Sequence, residues 1–222
     1  MKRIADGVHQ LKGFPPNGIN VFLVEDVLID AASRHATRRI LRQLRGREVN
    51  AHALTHAHPD HQGASHAVCD ALDIPLWCGE ADAAAVEDPS LIGKRQPSHP
   101  VAQLFARAFT GPAHAVARTL SEGDEVAGFK VLDVPGHSAG HLAFWREADR
   151  TLILGDVLNN MNVMTGIPGL QLPKPYLTPD PDLNRRSAKR LGELEPSVVC
   201  FGHGAPLRDT RKFVDFLAAL PS

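Results

Sequence analysis

The sequence predicts an α/β protein in which apolar strands and amphipathic helices are layered on one another. Three observations lead there. Short apolar runs of strand length alternate with segments of helical periodicity along the chain. Hydrophobic residues make up 43% of the 222, enough for a sizeable core. Several apolar runs end beside glycine in a histidine or an aspartate, where the backbone can turn sharply.

Taken in order, strands are expected at 8–11, 19–24 and 27–30, and a helix at about 36–45. In that helix Arg38, Arg42 and Arg45 lie on one side and Ile40, Leu41 and Leu44 on the other, so the arginines read as a solvated face. A strand at 49–54 leads into a histidine-rich loop, and a helix at about 63–72 follows, starting near Gln62 and Gly63. Residues 75–78 read as a strand, and 89–112 as an irregular insert with a short helix at 101–108. Strands return at 126–134, 142–146 and 151–154. A helix at 183–194 follows a turn rich in proline and aspartate, then a strand at 198–201 and a last helix at 210–220. The candidate ligands run from His56 to His203, so the whole of residues 1–222 is expected to form one domain.

The run Thr55-His56-Ala57-His58-Pro59-Asp60-His61 places three imidazoles and one carboxylate within six residues. Folding does not require such a density of nitrogen ligands beside a core strand, whereas zinc or iron binding does. His56 and His58 are two apart, so in extended chain both project to the same side. Pro59 biases His58 toward extended backbone, and the turn that follows aims Asp60 and His61 elsewhere. The motif therefore reads as two ligand pairs aimed at two adjacent ions. His137, Asp156 and His203 each follow an apolar run and lie beside a glycine. One such strand end is more often an ordinary loop residue; four together point to a metal.

This order, His-x-His-x-Asp-His and then His, Asp and His, resembles the metallo-β-lactamase-fold hydrolase superfamily over nearly the whole chain. The resemblance implies a four-layer αββα sandwich. It also implies that His56, His58 and His137 hold a first metal, that Asp60, His61 and His203 hold a second, and that Asp156 bridges them. Residues 136–141, Gly-His-Ser-Ala-Gly-His, are similar to the glyoxalase II-like and lactonase-like branch. The implied cofactors are two divalent ions, zinc first, with iron or manganese as alternatives. Two ions roughly 3.5–4 Å apart hold a water and lower its pKa toward neutrality. The expected reaction is hydroxide attack on the carbonyl of a small ester, thioester or lactone, with Asp60 relaying the proton. A glyoxalase II-like thioester hydrolase is the near alternative. An iron redox enzyme or a metal-binding protein on the same fold is the distant one.

The subclass is read from departures. Asp156 argues against β-lactamase activity, which in this superfamily usually lacks the bridging aspartate. Only about twenty residues follow His203, too few for the glutathione domain of glyoxalase II. Acyl-homoserine lactonases place a tyrosine shortly after the bridging aspartate; here Leu158-Asn159-Asn160 stands there, and the one tyrosine, Tyr176, could reach the pocket from the following loop. His141, four residues after His137, reads equally as a residue that orients the site and as one tucked into the next strand. Pocket walls are expected from 13–18, 89–112 and 159–179, whose Phe14, Met161, Met164, Ile167, Leu170 and Leu172 favour an apolar small-molecule substrate.

Basic and acidic residues nearly balance, 24 against 25, which excludes nucleic acid as a main partner. No stretch has the length to span a membrane and residues 1–12 carry no signal-peptide core, so a cytoplasmic protein without membrane partners is expected. Cys69, Cys78 and Cys200 read as buried thiols in a reducing compartment.

Overall fold

Side chains that alternate between two apolar environments set the layers of the molecule. The computed structural model describes residues 1–221. Its first sheet holds β1 (Lys2–Ala5), β2 (Val8–Gln10), β3 (Phe22–Val24), β4 (Val27–Ile29), β5 (Ala51–Ala53), β6 (Leu76–Gly79) and β7 (Val116–Leu120), in that spatial order. The first four pair antiparallel, and β4 to β7 pair in parallel. Parallel neighbours need crossovers. Helix α1 (Thr37–Leu44) supplies the first, and α2 (Pro59–Gln62) with α3 (Ser65–Leu72) the second. The third carries α4 (Glu80–Glu87), α5 (Ser90–Arg95) and α6 (Pro100–Phe109).

The second sheet begins with β8 (Glu125–Val126), β9 (Phe129–Asp133), β10 (Leu142–Arg146) and β11 (Thr151–Ile153), each antiparallel to the next. A separate hairpin, β12 (Asn159–Met161) and β13 (Pro168–Gln171), precedes α7 (Pro181–Gly192). Strand β14 (Val198–Cys200) then lies parallel to β11 at the edge of this five-stranded sheet, and α8 (Thr210–Ala218) follows.

Period-two alternation shows how the sheets pack. Phe22 and Val24 of β3 meet Phe129, Val131, Leu142 and Phe144 of the second sheet in a central core. Leu23, between them, points to the other face and packs with Ile40 and Leu44 of α1 and Val68 of α3. On β10, Ala143 and Trp145 face outward onto α7 and α8, meeting Leu191, Phe213 and Leu217. Helices thus cover both outer faces, giving the αββα order, and strands covered on both sides read as continuous apolar runs. Arg38 and Arg42 on α1 and Arg45 at its C-terminal cap are exposed, as a solvated face requires. Among the described residues no helix is long and apolar enough to cross a membrane.

Several boundaries differ from expectation for physical reasons. The strand expected at 126–134 is broken into β8 and β9 by a hairpin turn with positive φ at Ala127 and Gly128. The helix expected at about 63–72 is α3, which starts at Ser65, and a separate short helix, α2, already opens at Pro59 within the histidine motif because proline fits the first helical position. The insert 89–112 holds two helices where one was expected. Strands β1 and β7 escaped notice because they are edge strands with exposed polar residues. Helix α4, half of it alanine, carries no apolar stripe to reveal it.

Candidate metal centre

Four strand ends converge on one edge of the sandwich. The loop after β5 carries His56, His58, Asp60 and His61; the loops after β9, β11 and β14 carry His137, Asp156 and His203. His58 is extended (φ −85°, ψ 153°) and Pro59 opens α2, so the chain turns between the two halves of the motif.

Donor atoms of His56, His58 and His137 all lie within 4.8 Å of one another, as do those of Asp60, His61 and His203. Asp156 stands between the two groups. Its Oδ2 is 3.1 Å from His203 Nε2 and 3.6 Å from His137 Nε2, and its Oδ1 is 3.5 Å from His61 Nε2. A side chain at Gly202 would run into Asp156 Oδ1 and His61, so only glycine allows this approach. A separate trio of His66, Asp70 and His114 lies at the surface.

The outer nitrogens of these imidazoles are tied down, which fixes their tautomers. His61 Nδ1–H donates to Asp30 Oδ2 at 2.8 Å, and His203 Nδ1–H donates to the Gly18 carbonyl. Thr178 gives its own proton to the Lys174 carbonyl, so it accepts from His137 Nδ1–H at 3.1 Å. Thr55, donating to Asp30, likewise accepts from His56 Nδ1–H at 3.0 Å. Each of these rings therefore turns an Nε2 lone pair inward. His58 differs: its Nε2 is met by the side-chain amide nitrogen of Gln96, which can donate to it.

His56, His61 and His137 Nε2 and Asp156 Oδ1 are buried without a hydrogen-bond partner among the described residues. Buried polar atoms are almost always satisfied, so a cluster of inward lone pairs beside carboxylates fits metal ions and fits little else. The carboxylates favour positive charge at two of the rings, whether a proton or a metal ion carries it. Burial opposes charge on His61, but Asp156 and Asp30 reverse that and hold its pKa well above normal. His203 is likewise pushed up to about 10 by Asp156 and Asp60 against burial. Burial holds His56 and His137 well below the usual value.

Of the remaining expected residues, His141 lies behind the cluster. Its ring stacks on His56 with centroids 4.4 Å apart, and its Nε2 accepts the Asp156 backbone N–H at 3.3 Å. Burial lowers its pKa to about 3, so it is neutral. Gly155, at φ +57°, leaves room for it: a side chain there would meet His141 Nε2 at 2.6 Å. Tyr176 stacks on His99 at 4.3 Å and is not among the residues lining the adjoining cavity. That cavity, about 540 Å³, reaches Asp60, His58, His137, Asp156 and His203 and is walled by parts of all three expected loops. Met161 and Met164 line it, Phe14 and Ile167 are exposed, and Leu170 and Leu172 pack on the outer core instead.

Two buried carboxylates were not anticipated. Asp30 accepts from Thr55 N–H, Thr55 Oγ1 and His61. Asp82 accepts from Ala57 N–H at 2.9 Å, Ser138 Oγ at 2.7 Å and Gly140 N–H at 3.0 Å, clamping two ligand loops together. Asp30 closes an apolar run just as Asp156 does, and that pattern could have found it. Nothing in the composition around Asp82 marks it.

Residues 14–203 match the metallo-beta-lactamase superfamily. A probable metallo-hydrolase of Bacillus subtilis (strain 168), YflN, is 27% identical over 91% of this chain and 86% of its own length. The crystal structure of TTHA1623 in a di-iron-bound form superposes with a TM-score of 0.66 at 33% identity, over 86% of this chain and 89% of that one. A hydroxyacylglutathione hydrolase of Bdellovibrio bacteriovorus is 30% identical over 109 residues, 47% of this chain and 33% of the relative.

Proposed function

Because the chain belongs to the metallo-beta-lactamase superfamily, we propose that it is a metal-dependent hydrolase of small esters, thioesters or lactones, working with two divalent ions. His56, His58 and His137 would hold one ion, Asp60, His61 and His203 the other, and Asp156 both. The observation that carries this reading is the set of buried, inward lone pairs without partners on either side of Asp156. Ions held there supply Lewis acidity for a carbonyl and a water of lowered pKa.

The protein's own part is positioning and proton handling. Asp30, Thr178, Thr55 and the Gly18 carbonyl keep four of the imidazoles in ligating tautomers. Asp60 is partly open to the cavity while its Oδ2 sits 3.2 Å from His203 Nε2. In this reading its other oxygen would take the proton of the attacking water. Metal identity is zinc in this reading. Iron is the second choice, favoured by the di-iron form of the relative TTHA1623. Thioesters rank high in the substrate set because of the partial likeness to hydroxyacylglutathione hydrolases.

The test is a substrate panel on protein reconstituted separately with zinc, iron and manganese, with metal content measured. Ester, thioester and lactone turnover with little β-lactam cleavage is expected. Efficient phosphodiester or β-lactam cleavage, with the carbonyl panel silent, would sink the reading.

A further inference from the structure

The cavity wall above the ligand cluster is one face of α6. Ala102, Phe105, Ala106 and Phe109 stand at i, i+3, i+4 and i+7 and line the cavity. That spacing normally marks a stripe facing a core. Yet none of the four belongs to any of the apolar cores of the molecule. Phe105 and Phe109 stack with centroids 5.6 Å apart, and α6 packs on α2, the helix that carries Asp60 and His61. One continuous space therefore has donor atoms at one end and an aromatic stripe at the other.

The rim is apolar as well. The large hydrophobic side chains exposed among the described residues are Phe14 (92%), Leu104 (64%), Met164 (49%) and Ile167 (64%). Each is a cavity-lining residue or lies within two positions of one. Of these only Met164 lines the cavity; Phe14, Leu104 and Ile167 are chain neighbours of lining residues. Away from the ligand cluster charge is scarce: Lys174 is the one charged residue of the lining there.

We infer that the site takes an amphiphile, with the ester, thioester or lactone group at the ligand cluster and an unbranched apolar acyl chain along α6. The reaction class rests on the hydrolytic reading above; the binding of an apolar chain does not. In that reaction water adds across the acyl carbon–oxygen or carbon–sulfur bond. The acyl carbon gains the hydroxyl and the departing atom gains the proton. A short polar acyl group would leave the Phe105–Phe109 stripe against water. A phosphorylated carrier would face a wall with a single cation. At about 540 Å³ the cavity has the size of a small-molecule site.

Two measurements test this. With metal-loaded protein, p-nitrophenyl esters from acetate to decanoate, kept below their micellar concentrations, should show kcat/KM rising about threefold to fourfold per methylene. Saturated fatty acids of the same lengths should displace anilinonaphthalene sulfonate with affinity that grows with length. Phe105→Asn should flatten both series, and Phe109→Asn serves as a second variant if the first misfolds. Displacement that does not depend on chain length overturns the proposal, whatever turnover shows. Length-dependent displacement with no carbonyl substrate cleaved upholds it and overturns the hydrolytic reading instead.

Discussion

Asp156 lies within 3.6 Å of three imidazole nitrogens drawn from both ligand groups, whereas His141 touches the cluster from behind, through the His56 and His137 rings and the Asp156 backbone. Asp156→Ala should therefore lose turnover well beyond the roughly 10- to 100-fold expected of His141→Ala. Near-equal losses in steady-state assays would remove the bridging role. Gln96 reaches His58 Nε2 from the insert. Gln96→Leu should weaken binding of one of two zinc ions by roughly 10- to 100-fold while sparing the other, as read by competition with a chromophoric chelator. The cysteines lie outside this chemistry. Burial pushes Cys69, Cys78 and Cys200 each up to about 12. In the unfolded chain a thiol ionises near 9, so between those values the unfolded state has fewer bound protons. Stability should fall as pH rises past about 9, and native protein at pH 8 should resist alkylation until urea is added.

At the scale of elements, α4 does more than cross between strands. From its first turn Asp82 receives hydrogen bonds from the loop after β5 and the loop after β9. Asp82→Ala would strand two buried N–H groups and a hydroxyl, and urea unfolding should show a loss of about 3 kcal/mol. An unchanged midpoint would mean that the loops hold each other without the clamp. Which elements were legible beforehand follows from physics. Strands buried on both faces, such as β10 and β14, carry unbroken apolar runs and were read nearly to their ends. The convergence of His56, His137, Asp156 and His203 was legible because each closes such a run. The clamps were not. Asp30 and Asp82 act across 25 residues or more, through contacts that exist only once the sheets are packed. Edge strands and an alanine-rich helix lack the apolar pattern that sequence reading depends on.

The whole molecule joins a ligand cluster drawn from both sheets to a cavity walled by loops. If both ligand groups are filled, elemental analysis of reconstituted protein should find two divalent ions per chain at saturation. A strong chelator should abolish turnover and lower the melting temperature, because ions that bind only the folded chain stabilise it. One ion at saturation would count against the two-site reading. The aromatic stripe of α6 hangs on the crossover between β6 and β7 and takes no part in any apolar core, while the ligands are anchored by strand ends and buried carboxylates. In the proposed reading, chemistry and selectivity rest on different parts of the chain. The ten residues of α6, clear of Asp82 and Gln96, could be rewritten, by drift or by design, to admit a different guest while the reactive machinery beneath stays as it is.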